Sequence, residues 1–426
     1  DGGRAPHVLR HRFTLDEPGA PARLHATAHG VYETFLNGRR VGDLELTPGF
    51  TAYGSRLQVQ THDVGDLLLA GENTWEAVVS DGWYRGRHGT DQRRDGFGTH
   101  VAFLGQLEVG ERRVATGPGW EAATTGPILA ADLMAGQVED RRVTPSGWGP
   151  ALVADHDLGV LCGSPAPPVR RVEELRPVSV TRFGADHQVV DLGQNIAGWV
   201  RLGDLGPAAT ELTLLHGEAL DAVGDVTSEN LGFRGDGLEQ VDRVTSAGVA
   251  GDAFEPRHTL HGFQYVEVTG HPGDLTPDDV AGVVVHTDLV RTGSFRGSDA
   301  RLNRLHEIAE WSFRGNACDI PTDCPHRERS GWTGDWQLFL PSAAFLYDVA
   351  GFSTKWLRDL AAQQLPDGLL PNYVPDPRRD RGLAEQDPTW FGMLGSAGWG
   401  DACVIVPWHL YRLYGDEAVL AELWPT

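Results

Sequence analysis

Residues 318–336 read Cys-Asp-Ile-Pro-Thr-Asp-Cys-Pro-His-Arg-Glu-Arg-Ser-Gly-Trp-Thr-Gly-Asp-Trp. Asp323, Glu328 and Asp335 fall within fourteen residues of one another, together with His326, Arg327, Arg329, Trp332 and Trp336. Pro321, Pro325, Gly331 and Gly334 break any regular helix here. A loop so rich in acids and aromatics makes a poor core and a good pocket, able to protonate an oxygen and to stack on an apolar ring face. It also divides the chain. Before it the apolar residues alternate in short runs, and around and after it they recur at three and four.

On the C-terminal side, helical spacing covers about 337–349, 351–364 and 401–414, with another helix starting at Glu417. Loops rich in Gly and Pro separate them, at Pro366-Asp367-Gly368 and from Asn372 to Pro388. Just upstream, Ser298 can cap a helix whose apolar positions are Leu302, Leu305, Ile308, Ala309 and Phe313. Helix and long loop in alternation predict a helical toroid with its site on the loop ends. The chain stops at Trp424-Pro425-Thr426 with a helix just laid down, so it is expected to break off inside this last unit.

On the N-terminal side the pattern is β throughout. In residues 7 to about 160, Asn37-Gly38 breaks two alternating runs as a hairpin turn does. A strand at Thr74–Val79 leads into Asp-Gly-Trp-Tyr-Arg-Gly (81–86), and turn residues recur every ten positions or so, the rhythm of a sandwich. Trp83 and Tyr84 beside glycines can form a sugar platform, but core or edge packing is the favoured reading. Residues 162–168, Cys-Gly-Ser-Pro-Ala-Pro-Pro, have the composition of a linker. A second β-rich unit follows from Val169, with strands predicted at Gln188–Leu192, Gly198–Leu202, Glu211–His216 and Phe263–Val268. The expected fold is multidomain β + α, with units at 1–165, 166–290 and 291–426.

Composition excludes more than it assigns. A net charge of −23 over 426 residues argues against a nucleic-acid partner. No apolar run approaches the roughly 18 residues of a membrane helix. The visible N-terminus has no signal-peptide core, so a cytoplasmic location is expected; it also lacks Met, which leaves export open. Cys162, Cys318, Cys324 and Cys403 show no paired metal or redox spacing and read as free thiols. Lys355 is the only lysine, a skew that reads as codon bias without a function. Asp221–Asp225 is an acidic loop. A solvated turn is favoured there over a structural calcium site, since the spacing is not that of an EF-hand.

The chemistry that suits the 318–336 loop is glycoside hydrolysis, which needs one carboxylic acid to protonate the leaving oxygen and a second carboxylate to activate water or attack carbon. Glu328 is the candidate acid, shielded by Trp332 and flanked by Arg327 and Arg329. Asp323 and Asp335 can accept hydrogen bonds from sugar hydroxyls, and the Trp residues can cover apolar sugar faces. A buried salt-bridge cluster explains the same residue types equally well. A second loop, Gly-Ser-Ala-Gly-Trp-Gly-Asp (395–401), offers Trp399 to a pocket and Asp401 to a pocket or a helix N-cap. Zinc-protease, nucleophile-elbow and phosphate-loop motifs are absent from the sequence.

Pro-Thr-Asp-Cys-Pro-His-Arg-Glu-Arg-Ser-Gly-Trp-Thr-Gly-Asp (321–335) closely resembles the signature of bacterial α-L-rhamnosidases of glycoside hydrolase family 78, and Gly-Ser-Ala-Gly-Trp-Gly-Asp-Ala (395–402) resembles a second signature of the same catalytic domain. Residues 30–43, with 81–86, look like that family's N-terminal β-domain. Residues 191–198, 216–218 and 261–267 look like the β-sandwich that precedes its barrel. The resemblance implies an inverting hydrolase of terminal α-L-rhamnosides, with two β-sandwiches and the first part of an (α/α)6 barrel, and no catalytic metal or cofactor. It places Glu328 as general acid, Asp323 and Asp335 as rhamnose-binding carboxylates, and Arg327, Trp332, Trp399 and Asp401 in the substrate pocket. The family's general base is a downstream Glu with no counterpart among these residues, so it is expected beyond residue 426. The alternatives are a non-catalytic carbohydrate-binding protein, favoured if the chain truly ends at 426, and a related toroid glycosidase for another sugar. Aglycone preference and oligomeric state are not legible.

Overall fold

The computed structural model describes residues 3–17, 21–89, 92–185, 187–231, 239–380 and 394–426. The first unit is two facing antiparallel sheets. One runs in the order Gly149–Pro150, Glu121–Ala123, His7–Leu15, Gly71–Ser80, Val31–Leu36, Arg39–Arg40; the other runs Gln60–Asp63, Ala22–His29, Ala102–Val109, Arg112–Ala115. Alternate side chains point inward, as in Gly71–Ser80, and Leu24, Leu36, Trp75, Ala77 and Leu107 fill the space between. Asn37 and Gly38 take φ of +54° and +74°, the left-handed pair that a two-residue hairpin turn requires.

The second unit is one nine-stranded sheet rather than two separate sheets. The predicted strands at 188–192 and 198–202 are the two ends of a single strand, His187–Leu202, whose register is broken between Asp191 and Ile196. The break lets one end pair with Ser179–Phe183 and the other with Val280–Thr287, while His261–Thr269 runs along both. The hairpin Ile128–Asp132/Gly136–Asp140 comes from the first unit's stretch of sequence, yet it extends this sheet, pairing in parallel with Gln240–Thr245.

Five helices of seven or more residues are described: α1 (Ala300–Gly315), α2 (Thr333–Leu346), α3 (Ala350–Ala362), α4 (Ala402–Tyr414) and α5 (Glu417–Leu423). Asp299, not Ser298, caps α1, its Oδ1 accepting the Arg301 N–H at 2.9 Å. Helix α2 starts four residues earlier than its apolar spacing predicts, at Thr333, because the Thr333 N–H and hydroxyl are both anchored on the Asn372 carbonyl, at 2.9 and 3.0 Å. Most of the apolar row of α1 is not core: Leu305 is 61 % exposed and Leu302 and Ile308 are about half exposed, while Phe313 at its end is buried in the core. With Leu338 of α2 and Val404 and Trp408 of α4, both helices leave apolar side chains in solvent. The part of the predicted loop that spans 381–388 lies outside the described residues.

The units share one core. Phe50, Tyr53 and Trp83 from the first, Trp199 and Val283 from the second, and Trp336, Phe352 and Trp356 from the helices belong to a single apolar cluster. Trp83 is buried and stacks on Phe50 at 5.4 Å, so the packing reading of Trp83 holds. At the centre sits Lys355 with no exposed surface, paired with Asp319 at 2.9 Å and Asp359 at 3.3 Å, and donating to the Phe50 carbonyl.

Candidate active site

The loop between the short strand Ile320–Pro321 and α2 is folded by its own backbone. The Asp323 N–H donates to the Ser330 carbonyl at 3.1 Å, and the Ser330 N–H returns to Asp323 Oδ1 at 2.9 Å. Arg329 turns the chain with φ of +55°. Its buried guanidinium plugs into both β units, donating to the Leu133 carbonyl and to Gln240 Oε1 at 3.2 Å. Burial lowers its pKa to about 10, so it remains charged at neutral pH. On the other side of the loop, the His326 Nε2 meets Glu218 Oε2 at 2.9 Å, and Glu218 is held in turn by Asn195 and Asn230. The Arg327 N–H donates to His326 Nδ1 at 2.8 Å, which fixes the imidazole with its proton on Nε2.

This frame presents Glu328. The residue is 6 % exposed; its Oε1 accepts from Arg327 at 3.1 Å and its Oε2 accepts the Trp332 indole N–H at 3.1 Å. The Trp332 ring lies 5.3 Å from that of Tyr373. Burial, and after it the Glu328 charge, pushes the Asp323 carboxyl up to about 6, against the hydrogen bonds it accepts. Asp335, in the first turn of α2, is raised for the same two reasons, burial first and Glu328 second. Asp323, Arg327, Glu328, Trp332 and Asp335 therefore form one site.

Trp399 is brought towards it. A Cβ on Gly334 would come within 3.1 Å of the Trp399 indole nitrogen, and Gln337 Nε2 donates to the Gly398 carbonyl at 2.6 Å. The two signature loops thus meet on the first turns of α2. Asp401 is exposed at the N-cap position of α4, where Ala397–Gly400 gives way to it, but its side chain makes no capping hydrogen bond to either helix. Sequence reasoning missed Tyr373 and Asn372 within a loop of no clear pattern, and Glu218 and His326 as a pair. The motif His-Gly-Glu at 216–218 was the available signal, but nothing in it names a partner more than a hundred residues away.

Two side-chain groups outside the site have metal-like composition. His216, Asp242 and His261 are fully buried, the imidazoles lie 4.3 Å apart and 30° from parallel, and both Nε2 atoms face Asp242 Oδ2, at 3.7 and 3.1 Å. Asp242 accepts from His261 at 3.1 Å and from the Gln137 N–H at 2.7 Å. His187, Asp225 and Glu267 form the other group. Here Asp221 spends its Oδ1 on the N–H groups of Val223, Gly224 and Asp225, and Asp225 faces His187 at 2.8 Å, so the 221–225 turn does not supply the oxygen cage of calcium. All four cysteines are free.

Comparison with known proteins agrees with this layout. Residues 18–173 match the α-L-rhamnosidase N-terminal domain, 181–286 the bacterial α-L-rhamnosidase concanavalin-like domain, and 290–426 the bacterial α-L-rhamnosidase 6 hairpin glycosidase domain. An α-L-rhamnosidase of Streptomyces avermitilis is 41% identical over 99% of this chain, and one of Alteromonas sp. (strain LOR) is 32% identical over 99%. The chain spans 41–46% of the length of the curated relatives it matches. Among solved structures, Streptomyces avermitilis α-L-rhamnosidase complexed with L-rhamnose superposes with a TM-score of 0.91 at 40% identity, covering 99% of this chain and 41% of that one. Native α-L-rhamnosidase from Aspergillus terreus gives 0.92 at 35%, covering 100% of this chain and 50% of that one. With three successive domains matched along 18–426, the chain belongs to the bacterial α-L-rhamnosidases of glycoside hydrolase family 78.

Proposed function

We propose that this chain carries the acid half of an inverting α-L-rhamnosidase, in which Glu328 protonates the leaving oxygen of a terminal rhamnosyl bond. The observation that carries this reading is the setting of Glu328: nearly buried, held by Trp332 and Arg327, with Asp323 and Asp335 beside it. Because Oε2 accepts the indole N–H, the transferable proton belongs on Oε1, and the half-exposed Arg327 must turn aside as substrate enters. Asp323 and Asp335 then hold sugar hydroxyls, with Trp332 and Trp399 against the ring. Inversion requires a second carboxylate roughly 6.5–9.5 Å from the acid, with water between. We assign that base to residues outside these 426, in an (α/α)6 barrel of which α1 to α5 are a part. The apolar side chains exposed on α1, α2 and α4 support that completion.

The test is hydrolysis of an aryl α-L-rhamnoside by the 426-residue chain beside a chain extended through the barrel. Turnover in the extended chain alone is expected, with inversion seen by NMR of the first-formed sugar. Equal turnover in the short chain would place the base among these residues. Rhamnose binding without turnover in both would favour a carbohydrate-binding protein. In the active chain, Trp332→Phe keeps an aromatic face and removes the donor to Glu328. It is expected to lower kcat/KM by about 10- to 100-fold, the range of one hydrogen bond to a charged group. Steady-state kinetics on the same aryl rhamnoside checks it.

A further inference from the structure

Glu328 lies between two tethers of its loop. Arg329, one residue on, is anchored on Leu133 and Gln240. His326, two residues before, reaches the second unit, where its Nε2 lies 2.9 Å from Glu218 Oε2. That carboxylate is itself fixed: the Asn195 side-chain amide donates to its Oε1 at 2.7 Å and the Asn230 amide to its Oε2 at 3.1 Å. The other ring nitrogen, Nδ1, accepts the Arg327 N–H at 2.8 Å, and the Arg327 guanidinium donates to Glu328 Oε1 at 3.1 Å. Pro325 is seated as closely. A Cβ on Gly262 would come within 2.8 Å of the Pro325 Cγ and 3.0 Å of its carbonyl carbon. Asn195, Glu218 and Gly262 come from neighbouring strands, His187–Leu202, the end of Glu211–Gly217, and His261–Thr269 between them. They fall in the stretches 191–198, 216–218 and 261–267, none of which the proposed chemistry uses.

We propose that Glu218 is a positioning residue for the general acid, and that with His326 and Gly262 it forms the seat from which the second unit aims Glu328. That Glu328 is the acid rests on the function proposed above. The Glu218 carboxylate acts through the imidazole. It holds the His326 proton on Nε2, which leaves the Nδ1 lone pair for the Arg327 N–H. Without that carboxylate the ring is free to turn, or to carry its proton on Nδ1, where it would meet the Arg327 amide donor against donor. The backbone of Arg327 and Glu328 would then lose its hold. Gly262 serves the same end by shape, since only a residue without a side chain lets Pro325 lie this close to the sheet. Glu218 stands at one remove from Glu328, so its loss should misplace the acid rather than remove it.

The first readout needs no substrate. The Trp332 indole N–H donates to Glu328 Oε2, so its 15N–1H resonance, assigned with Trp332→Phe, reports where the carboxylate stands in the 426-residue chain. Glu218→Ala is expected to shift or broaden it, as is Gly262→Ala, which drives Pro325 off the sheet. Glu218→Gln keeps an oxygen for the His326 Nε2–H and should leave the resonance close to wild type. If Glu218→Ala does not fold, His326→Asn serves: its oxygen can take the Arg327 N–H, but the side chain is too short to reach Glu218. In the extended chain, Glu218→Ala should lower kcat on an alkyl rhamnoside by about 10- to 100-fold, the range of a misplaced catalytic group. The loss should be much smaller on a dinitrophenyl rhamnoside, whose oxygen leaves without the acid, and Glu218→Gln should restore most of it. An indole resonance unchanged by Glu218→Ala or His326→Asn overturns the proposal. So does an equal loss on both substrates, which is what a merely structural defect would give. If the indole moves but the extended wild type hydrolyses no rhamnoside, the seat of Glu328 stands and the proposed activity fails.

Discussion

Glu328→Gln, in a chain extended through the barrel, is expected to lower kcat on α-L-rhamnosides by roughly 10²- to 10⁴-fold, the range of general acid catalysis. L-rhamnose affinity should stay within a few-fold. The amide preserves the shape of the side chain, and its oxygen can still accept the Trp332 indole N–H that Oε2 accepts now. Its NH₂ would face Arg327, a donor against a donor, but the Arg327 side chain is partly exposed and can turn to solvent. What is lost is the proton. The defect should therefore depend on the leaving group: large for alkyl rhamnosides and smallest for a dinitrophenyl rhamnoside, whose oxygen leaves without protonation. Measuring kcat across such a series, with L-rhamnose titrated calorimetrically, separates the acid role from binding. Wild-type kcat on an alkyl substrate would falsify the assignment of Glu328.

The cluster around Glu328 was readable because it is local. Asp323, Arg327, Glu328, Trp332 and Asp335 sit on one short loop, and proline and glycine breaks announce it as a loop. The helices after it were legible for the same reason, since spacing of three and four is a short-range signal. Long-range partners leave no such mark. The β pattern of residues 7 to about 160 does not show that the hairpin at 128–140 pairs with Gln240–Thr245 of the next unit. The apolar row of α1 predicts a buried face, yet what covers a face depends on neighbours that the row cannot name. Ser298 and Asp299 are adjacent and nearly equal as caps, so local chemistry could not choose between them. The strands predicted at Gln188–Leu192 and Gly198–Leu202 leave a gap at 193–197, whereas tertiary pairing carries one strand through it. Lys355 was the largest misjudgement: a lone lysine looks like composition until its surroundings are known.

Lys355→Met is expected to destabilise the 426-residue chain by about 3–5 kcal/mol, the cost of stranding buried partners of an ion pair. The ammonium has no exposed surface and serves three segments at once. It meets Asp359 one turn along α3, Asp319 in the strand pair that precedes the site loop, and the Phe50 carbonyl of the first unit. Asp319 Oδ2 also accepts the Phe50 N–H at 2.6 Å, and Asp359 receives the Ala52 N–H and Arg56. Methionine fills similar space, so the loss is electrostatic rather than a cavity. Burial already raises the Asp359 carboxyl while Lys355 and Arg56 oppose that shift, so removing Lys355 raises it further. A carboxylate raised on folding takes up a proton in the folded state, and its contribution grows as pH falls. The defect should therefore be greatest near pH 7 and shrink towards pH 5, and Asp359→Asn added to Lys355→Met should recover part of it at neutral pH. Urea unfolding followed by circular dichroism at the two pH values measures both effects. A neutral-pH loss below about 1 kcal/mol, or one that deepens in acid, would mean the three segments are joined by their apolar cluster alone.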